Sequence, residues 1–400
     1  MRTRAAVPRG WKRRSAAMAA ATAVALGAVA CGGDDDGGSA DGGGSSGDAA
    51  PLKIGTPLGF TGALAAYAPS QKQGIQIAVE EINAAGPPAG RQLEVVEKDT
   101  ESEESVAIQT FEELVRSDGV DAIVGPTSSA EAFAADPVAD DAGVPVVAPA
   151  NTAEGIPQIG DCVFRTSAEE TQVIPGAITT AVADQGIESA AVIYASSDEF
   201  NETGGKTMIS AFEEEGVDVT GSATFATGET NFQAQLTQLL RGNPDALAVA
   251  AYTPEAILIV EQARRLGFDG PIVGNKGFSG SGVIDEVGQA GGTLIVGAQY
   301  HANAPTTGNE EFVAAYQEEF GEEPDEFAAL AYDAIKLIAA GAENAGADAD
   351  PRQLCEGIAE VETIDGVTGM LTFDDEGDVS TEGVALLSVD GAPFELIEGS

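Results

Sequence analysis

The sequence predicts an α/β protein of two similar lobes facing each other across a cleft. Three observations carry this. From Pro51 onward, apolar stretches of strand length alternate with amphipathic stretches of helix length. The alternation runs as two series, the second starting near residue 171. Finally, "VDAIVGPTSSAEAF" (120–133) and "PDALAVAAYTPEAI" (244–257) share an Asp-Ala start, an apolar strand, a polar loop and a helix opening with an acid.

The first series opens with "LKIGTPLGF", a short strand running into a loop. "SQKQGIQIAVEEINAAG" follows, with apolar residues at helical spacing and a glycine stop. "QLEVVEKD" reads as a strand and "ESVAIQTFEELVRSDG" as an amphipathic helix. "VDAIVG", "SSAEAFAADPVADDAG" and "VPVVAPA" are expected as strand, helix and strand. The second series repeats the order: helix "TQVIPGAITTAVADQG", strand "SAAVIYA", helix "ETGGKTMISAFEEEG", strand "VDVTGSATFA". Helix "NFQAQLTQLLRG", strand "PDALAVAAY", helix "PEAILIVEQARRLG" and strand "GPIVGN" complete it. Such alternation implies parallel strands joined by right-handed crossovers. Three helices then follow, "NEEFVAAYQEEFG", "EFAALAYDAIKLIAAGAENAG" and "DPRQLCEGIAEV". A meander closes the chain, in which "FDDEGD" reads as an Asp-Gly hairpin turn rather than a calcium loop.

The N-terminus is different in kind. Residues 1–30 hold six basic residues and no acid, then the apolar run "SAAMAAATAVALGAVA". That run has the length of a secretory signal core and is short for a membrane span. It ends on Cys31, and "GGDDDGGSADGGGSSGDAA" after it reads as a flexible tether, since it has no apolar periodicity and is dominated by Gly, Ser and Asp. Removing the basic leader makes the net charge of −46 more negative still. A chain so acidic is a poor partner for nucleic acid, which needs clustered Lys and Arg. No later run approaches membrane-spanning length. Cys162 and Cys355, outside the cytoplasm, form a candidate disulfide, with two unpaired buried thiols as the alternative.

Catalysis is not expected. His301 is the sole histidine, so any Ser–His mechanism must use it. "GFSGSG" misses a nucleophile elbow at Ser281, and "GSGVID" misses the dinucleotide fingerprint at its last glycine. No Cys/His cluster has metal spacing, and neither metal nor cofactor is expected.

"GPTSS" ends a strand and opens a helix, so the hydroxyls of Ser128 and Ser129, with the first amides of the helix, favour a carboxylate. The alternative is that the serines cap the helix. These features together resemble the solute-binding proteins of ABC importers, specifically the leucine/isoleucine/valine-binding family. "AVAC" resembles a lipobox. "IGTPLGFTGALAAYA", "GIQIAVEEINAAG", "VDAIVGPTSS", "GVPVVAPANT", "CVFRTS", "EFGEEPDEFAALAYDAIKLIAAG" and "GVTGMLTFDDEGD" resemble family signatures in order.

The resemblance implies two Rossmann-like lobes of the type I periplasmic binding protein fold, joined by a multi-segment hinge. It implies a signal peptide over 1–30, a lipidated Cys31 and tether over 31–50, one lobe from 51–170 and 298–378, and another from 171–297 and 379–400. Ligand capture closes the hinge, and the closed form meets a membrane permease. The protein is expected as a monomer outside the cytoplasm, lipid-anchored to the outer face of the bacterial cell membrane. A ligand-sensing receptor is the alternative; the chain ends at Ser400 soon after the fold closes, which favours import. By alignment, Ser129 matches the serine that holds an amino-acid carboxylate, and Thr152 a threonine beside it. Ala150 and Asn151 share that loop, where Asn151 offers a main-chain contact. Tyr67, Phe200 and Tyr252 match aromatic cleft positions. Lys276, in "GNKGF", stands where the leucine-binding relatives carry an acid that pairs with the ligand's ammonium. Either it enters the cleft and selects a keto acid, aromatic acid, dicarboxylate or other anion, or it turns away to a surface acid.

Overall fold

A computed structural model of the chain describes residues 49–280, 283, 287, 290–381 and 383–397. It divides into Met1–Gly47 and Asp48–Ser400; the expected signal peptide, Cys31 and most of the expected tether lie outside the described residues.

Five parallel strands form the first sheet: β1 (Leu52–Leu58), β2 (Leu93–Asp99), β3 (Ala122–Val124), β4 (Val146–Ala148) and β5 (Val163–Arg165), in the order β2-β1-β3-β4-β5. Between them run α1 (Ala68–Ala85), α2 (Glu104–Glu113) and α3 (Ser129–Ala142). The helix expected to reach Gly119 instead turns irregular over Leu114–Asp118, a wider turn that ends at left-handed Gly119 and buries Leu114. The second series builds α4 (Glu170–Gln185), β6 (Ser189–Ala195), α5 (Glu199–Glu214), β7 (Asp218–Phe225) and α6 (Gln233–Leu240). It continues with β8 (Ala246–Ala250), α7 (Thr253–Arg265), β9 (Ile272–Gly274) and β10 (Thr293–Ala298).

The chain then supplies α8 (Asn309–Phe320), α9 (Glu326–Ala345) and α10 (Pro351–Ala359). Of these, α9 returns to pack on α1, β3 and β4. A small antiparallel sheet holds β11 (Thr363–Gly366), β12 (Gly369–Phe373) and β13 (Val379–Ser380). The Asp374 carboxylate accepts from the amides of Glu376 and Asp378, making "FDDEGD" a tight turn. Of the last strands, β14 (Val384–Val389) adds antiparallel to β10 and β15 (Glu395–Leu396) antiparallel to β14, giving the second sheet the order β15-β14-β10-β9-β8-β6-β7.

Strand periodicity explains the layers. In β8, Leu247 and Val249 join one apolar cluster with α6 and α7, while Ala246, Ala248 and Ala250 face the other with α5. The first sheet divides likewise, Leu52 and Ile54 toward α1 and α9, Ile123 and Val146 toward α2 and α3. Both sheets are therefore covered on two faces, which is why their strands read as near-continuous apolar runs.

Between the sheets the chain crosses at 165–170, at 298–299 and again after β13, before β14 begins. Arg165, fully buried, ties the first of these crossings to the segment leading into the third. Its Nε and Nη2 donate to both Asp378 carboxylate oxygens at 2.7 and 2.6 Å, and Nη2 also reaches Glu169 at 2.7 Å. Its Nη1 donates to the carbonyls of Ala153 and Asn151. Gln299 links the first two crossings, donating to Thr166 O and accepting from the Ala168 amide. Cys162 and Cys355 are disulfide-bonded, 5.4 Å apart at Cα, which ties the start of β5 to α10.

Candidate ligand cleft

Helix starts from both sheets converge where the strands end. Ser128 caps α3 in a capping box, its hydroxyl accepting from the Glu131 amide and facing the Glu131 carboxylate at 3.0 Å. Its hydroxyl is thus spent on the helix, as the capping alternative held. Ser129, the first residue of α3, differs. Its Oγ accepts from the Ala153 amide at 3.2 Å, and among the described residues no protein acceptor takes its proton. The first amides of α3 also lack intrahelical carbonyls. Hydroxyl and amides together make an end suited to a carboxylate.

An aromatic cluster forms the rest of the wall. Tyr67, beside the start of α1, packs on Phe327 of α9 at 4.6 Å between centroids and on Tyr252 at 6.2 Å. Phe200 of α5 stacks on Tyr252 at 5.6 Å. The Thr253 amide, at the start of α7, donates to Tyr67 Oη at 2.7 Å, a contact between the two sheets' helices. Tyr252 Oη donates to Asp198 Oδ2 at 2.7 Å, and burial first of all pushes the Asp198 carboxyl above its ordinary range.

Leu64, Tyr67, Thr127, Ser128, Ser129 and Ala150 line the first side of the cavity, with Phe327; Phe200, Tyr252, Lys276 and Gly277 line the other. Its volume is about 20 Å³, room for about one water. A solute of amino-acid size therefore enters only with the rings parted from this arrangement. Of the residues expected from sequence, Tyr67, Ser128, Ser129, Ala150, Phe200, Tyr252 and Lys276 reach the wall. Asn151 and Thr152 do not; both are fully buried behind it. The Asn151 carbonyl accepts from Ser167 Oγ and Arg165, so that main-chain group serves the hinge.

Lys276 follows β9 in a single 3₁₀ turn, Lys276–Phe278. A Cβ at Gly277 would lie 2.0 Å from the Ala251 carbonyl, so this turn needs glycine after the lysine. The Lys276 side chain is 2% exposed. Its Nζ donates to Gln299 Oε1 at 2.8 Å and lies 3.5 Å from Glu326 Oε1, on the first turn of α9. The surface acid of the second expectation is thus replaced by a buried one, because Lys276 is turned toward the crossing at Gln299. Burial raises the nearby Glu170 carboxyl to about 7, opposed by the Lys276 charge and assisted by that of Glu326.

This shift carries a pH dependence. Unfolded, Glu170 ionises near 4.5; folded, it keeps its proton to about 7. Its stabilising contribution is therefore complete below 4.5 and is lost as pH rises through 7. Glu170→Gln should match wild type near pH 4 and exceed it by about 3 kcal/mol at pH 8, read as unfolding free energies by denaturant titration. An equal offset at both pH values would show that the carboxyl does not titrate in this range.

Glu170, Gln299, Glu326 and Phe327 escape a reading of the sequence. The glutamates carry no signal among 65 acids, Phe327 sits in a segment read as plain helix, and Gln299 follows β10, a strand the reading of the sequence did not single out.

Two lobes built on largely parallel sheets, linked by three crossings and enclosing a cavity at their helix starts, define a hinged binding protein of the type I architecture. A family model described as periplasmic binding protein matches residues 51–393, and the chain belongs to that family. A leucine-, isoleucine-, valine-, threonine- and alanine-binding protein of Pseudomonas aeruginosa is 28% identical over 82% of this chain and 87% of its own. The branched-chain amino acid transporter substrate-binding protein LivJ of Streptococcus pneumoniae, solved with isoleucine, is 30% identical with a TM-score of 0.78, covering 87% of this chain and 99% of its own. A Rhodopseudomonas palustris solute-binding protein solved with benzoate shares the fold at 22% identity and a TM-score of 0.76, over 87% and 95% of the chains. The family is extracytoplasmic and its relatives here are solute-binding proteins.

Proposed function

We propose that this protein is the extracytoplasmic solute-binding lipoprotein of an ABC importer. It captures a branched-chain amino acid or related small carboxylate by closing its lobes, and presents the closed form to a permease. Cys31, on this reading, is lipidated and anchors the chain at the outer face of the cell membrane; the intact mass of the mature N-terminus tests that. One observation carries the ligand class. Ser129 brings an uncommitted hydroxyl proton to a helix start on the cavity wall. The names of the Pseudomonas and Streptococcus relatives support the amino-acid branch. Lys276, a cation on the same wall, favours instead an acid without an ammonium.

Calorimetry with aliphatic amino acids, 2-oxo acids and benzoate tests the reading. The tightest carboxylate should lose about 1–3 kcal/mol of binding in Ser129→Ala, the cost of leaving a charged acceptor short of a donor. Undiminished affinity would confine Ser129 to holding the Ala153 amide.

A further inference from the structure

The polar part of the cavity wall is one-sided. Its lining residues include one cation, Lys276, together with the Ser129 hydroxyl and the start of α3; among the described residues no aspartate or glutamate lines it. An α-amino acid brought here would find donors for its carboxylate but, among the described residues, no anion on the wall for its ammonium. Lys276 is not a free charge either. One of its three N–H donors goes to Gln299 Oε1, and Glu326, 1% exposed, stands 3.5 Å away. Glu326 is itself fixed, its Oε1 accepting from the Gln299 amide at 2.8 Å. It belongs to α9, which packs on the first sheet, whereas Lys276 follows β9 of the second. The ion pair therefore joins the two lobes. A ligand meets an ammonium that can still donate a hydrogen bond but whose charge is already matched. A second carboxylate on the ligand would add an anion beside Glu326 without a cation of its own.

We propose that Glu326, acting through Lys276, is a positioning residue that makes the cleft selective for a small monocarboxylate bearing a neutral oxygen acceptor near the carboxylate, a 2-oxo or 2-hydroxy acid. The α-amino acid of the same skeleton and the dicarboxylate are both disfavoured. The inference rests on Ser129 and the start of α3 receiving the carboxylate. Lys276 and Ser129 line the same cavity, which sets the acceptor beside that carboxylate.

Calorimetry on the mature chain with 4-methyl-2-oxopentanoate, 2-hydroxy-4-methylpentanoate, leucine and 2-oxoglutarate tests it. Wild type should prefer the 2-oxo or the 2-hydroxy monoacid to leucine and to 2-oxoglutarate by roughly tenfold or more. Glu326→Gln unmatches the lysine, so 2-oxoglutarate should gain roughly tenfold relative to the monoacid. Lys276→Met, a second variant at the same pair, leaves the glutamates unmatched and should shift preference toward leucine. Melting curves confirm that each variant folds. Leucine binding wild type as tightly as the oxo and hydroxy acids, or preference ratios unmoved in both variants, overturns the proposal while leaving the carboxylate reading intact. Loss of no carboxylate's affinity in Ser129→Ala, or no binding of any of the four, overturns that reading as well.

Discussion

Arg165→Met should destabilise the protein by about 3–5 kcal/mol, the cost of breaking a buried pair from one side. The guanidinium is fully buried and makes two short bonds to Asp378, one to Glu169 and two to backbone carbonyls. Methionine fills much of the same volume but leaves the Asp378 carboxylate, 16% exposed, with a neutral neighbour. The effect should reach the cleft as well, because the Ala153 carbonyl held by Arg165 belongs to the residue whose amide bonds Ser129. Denaturant titration checks the first part, and the double variant Arg165→Met, Asp378→Leu should recover a large share of the loss. A single variant within 1 kcal/mol of wild type would mean that solvent reaches Asp378 and the network adds little.

Cys355→Ser, or reduction of the wild type, should cost up to about 5 kcal/mol. The bond joins residues 193 apart, and a closed loop of that length removes about this much chain entropy from the unfolded state at 25 °C. Denaturation with and without reductant reads it: wild type should fall with reductant to the level of the variant, which itself should not respond. No difference between oxidised and reduced wild type would show that the unfolded chain keeps those segments together without the bond.

The layers were legible because the central strands bury both faces and most helices one, so apolar runs and helical spacing coincide with the elements. Leu114–Asp118 was not, since an amphipathic pattern does not say where a helix will loosen to bury one more leucine. At the cleft, local motifs were informative wherever a single segment makes the feature. "SSAE" contains the whole of the Ser128 capping box, and Tyr67, Phe200 and Tyr252 each stand beside or within the first turn of a helix. Lys276 was conspicuous as a rare cation, yet its partner lies fifty positions away on α9 and depends on tertiary structure alone. Asn151 and Thr152 show the reverse error: the loop was found, but alignment does not tell a residue on a wall from one just behind it.

The route of the chain sets an order of assembly. A polypeptide emerging N-terminus first presents the whole first sheet by Arg165, but the helix that covers one of its faces, α9, comes only after β6 to β10 have appeared. Until then β1, β3 and β4 keep apolar surface bare, and the first lobe has no finished core to settle into. Cys162 likewise waits for Cys355. The first lobe is therefore begun first and finished late, and closure of the bond marks the moment when late segments have docked on early ones. A chain built this way stays pliable through most of its emergence and becomes compact only near its end.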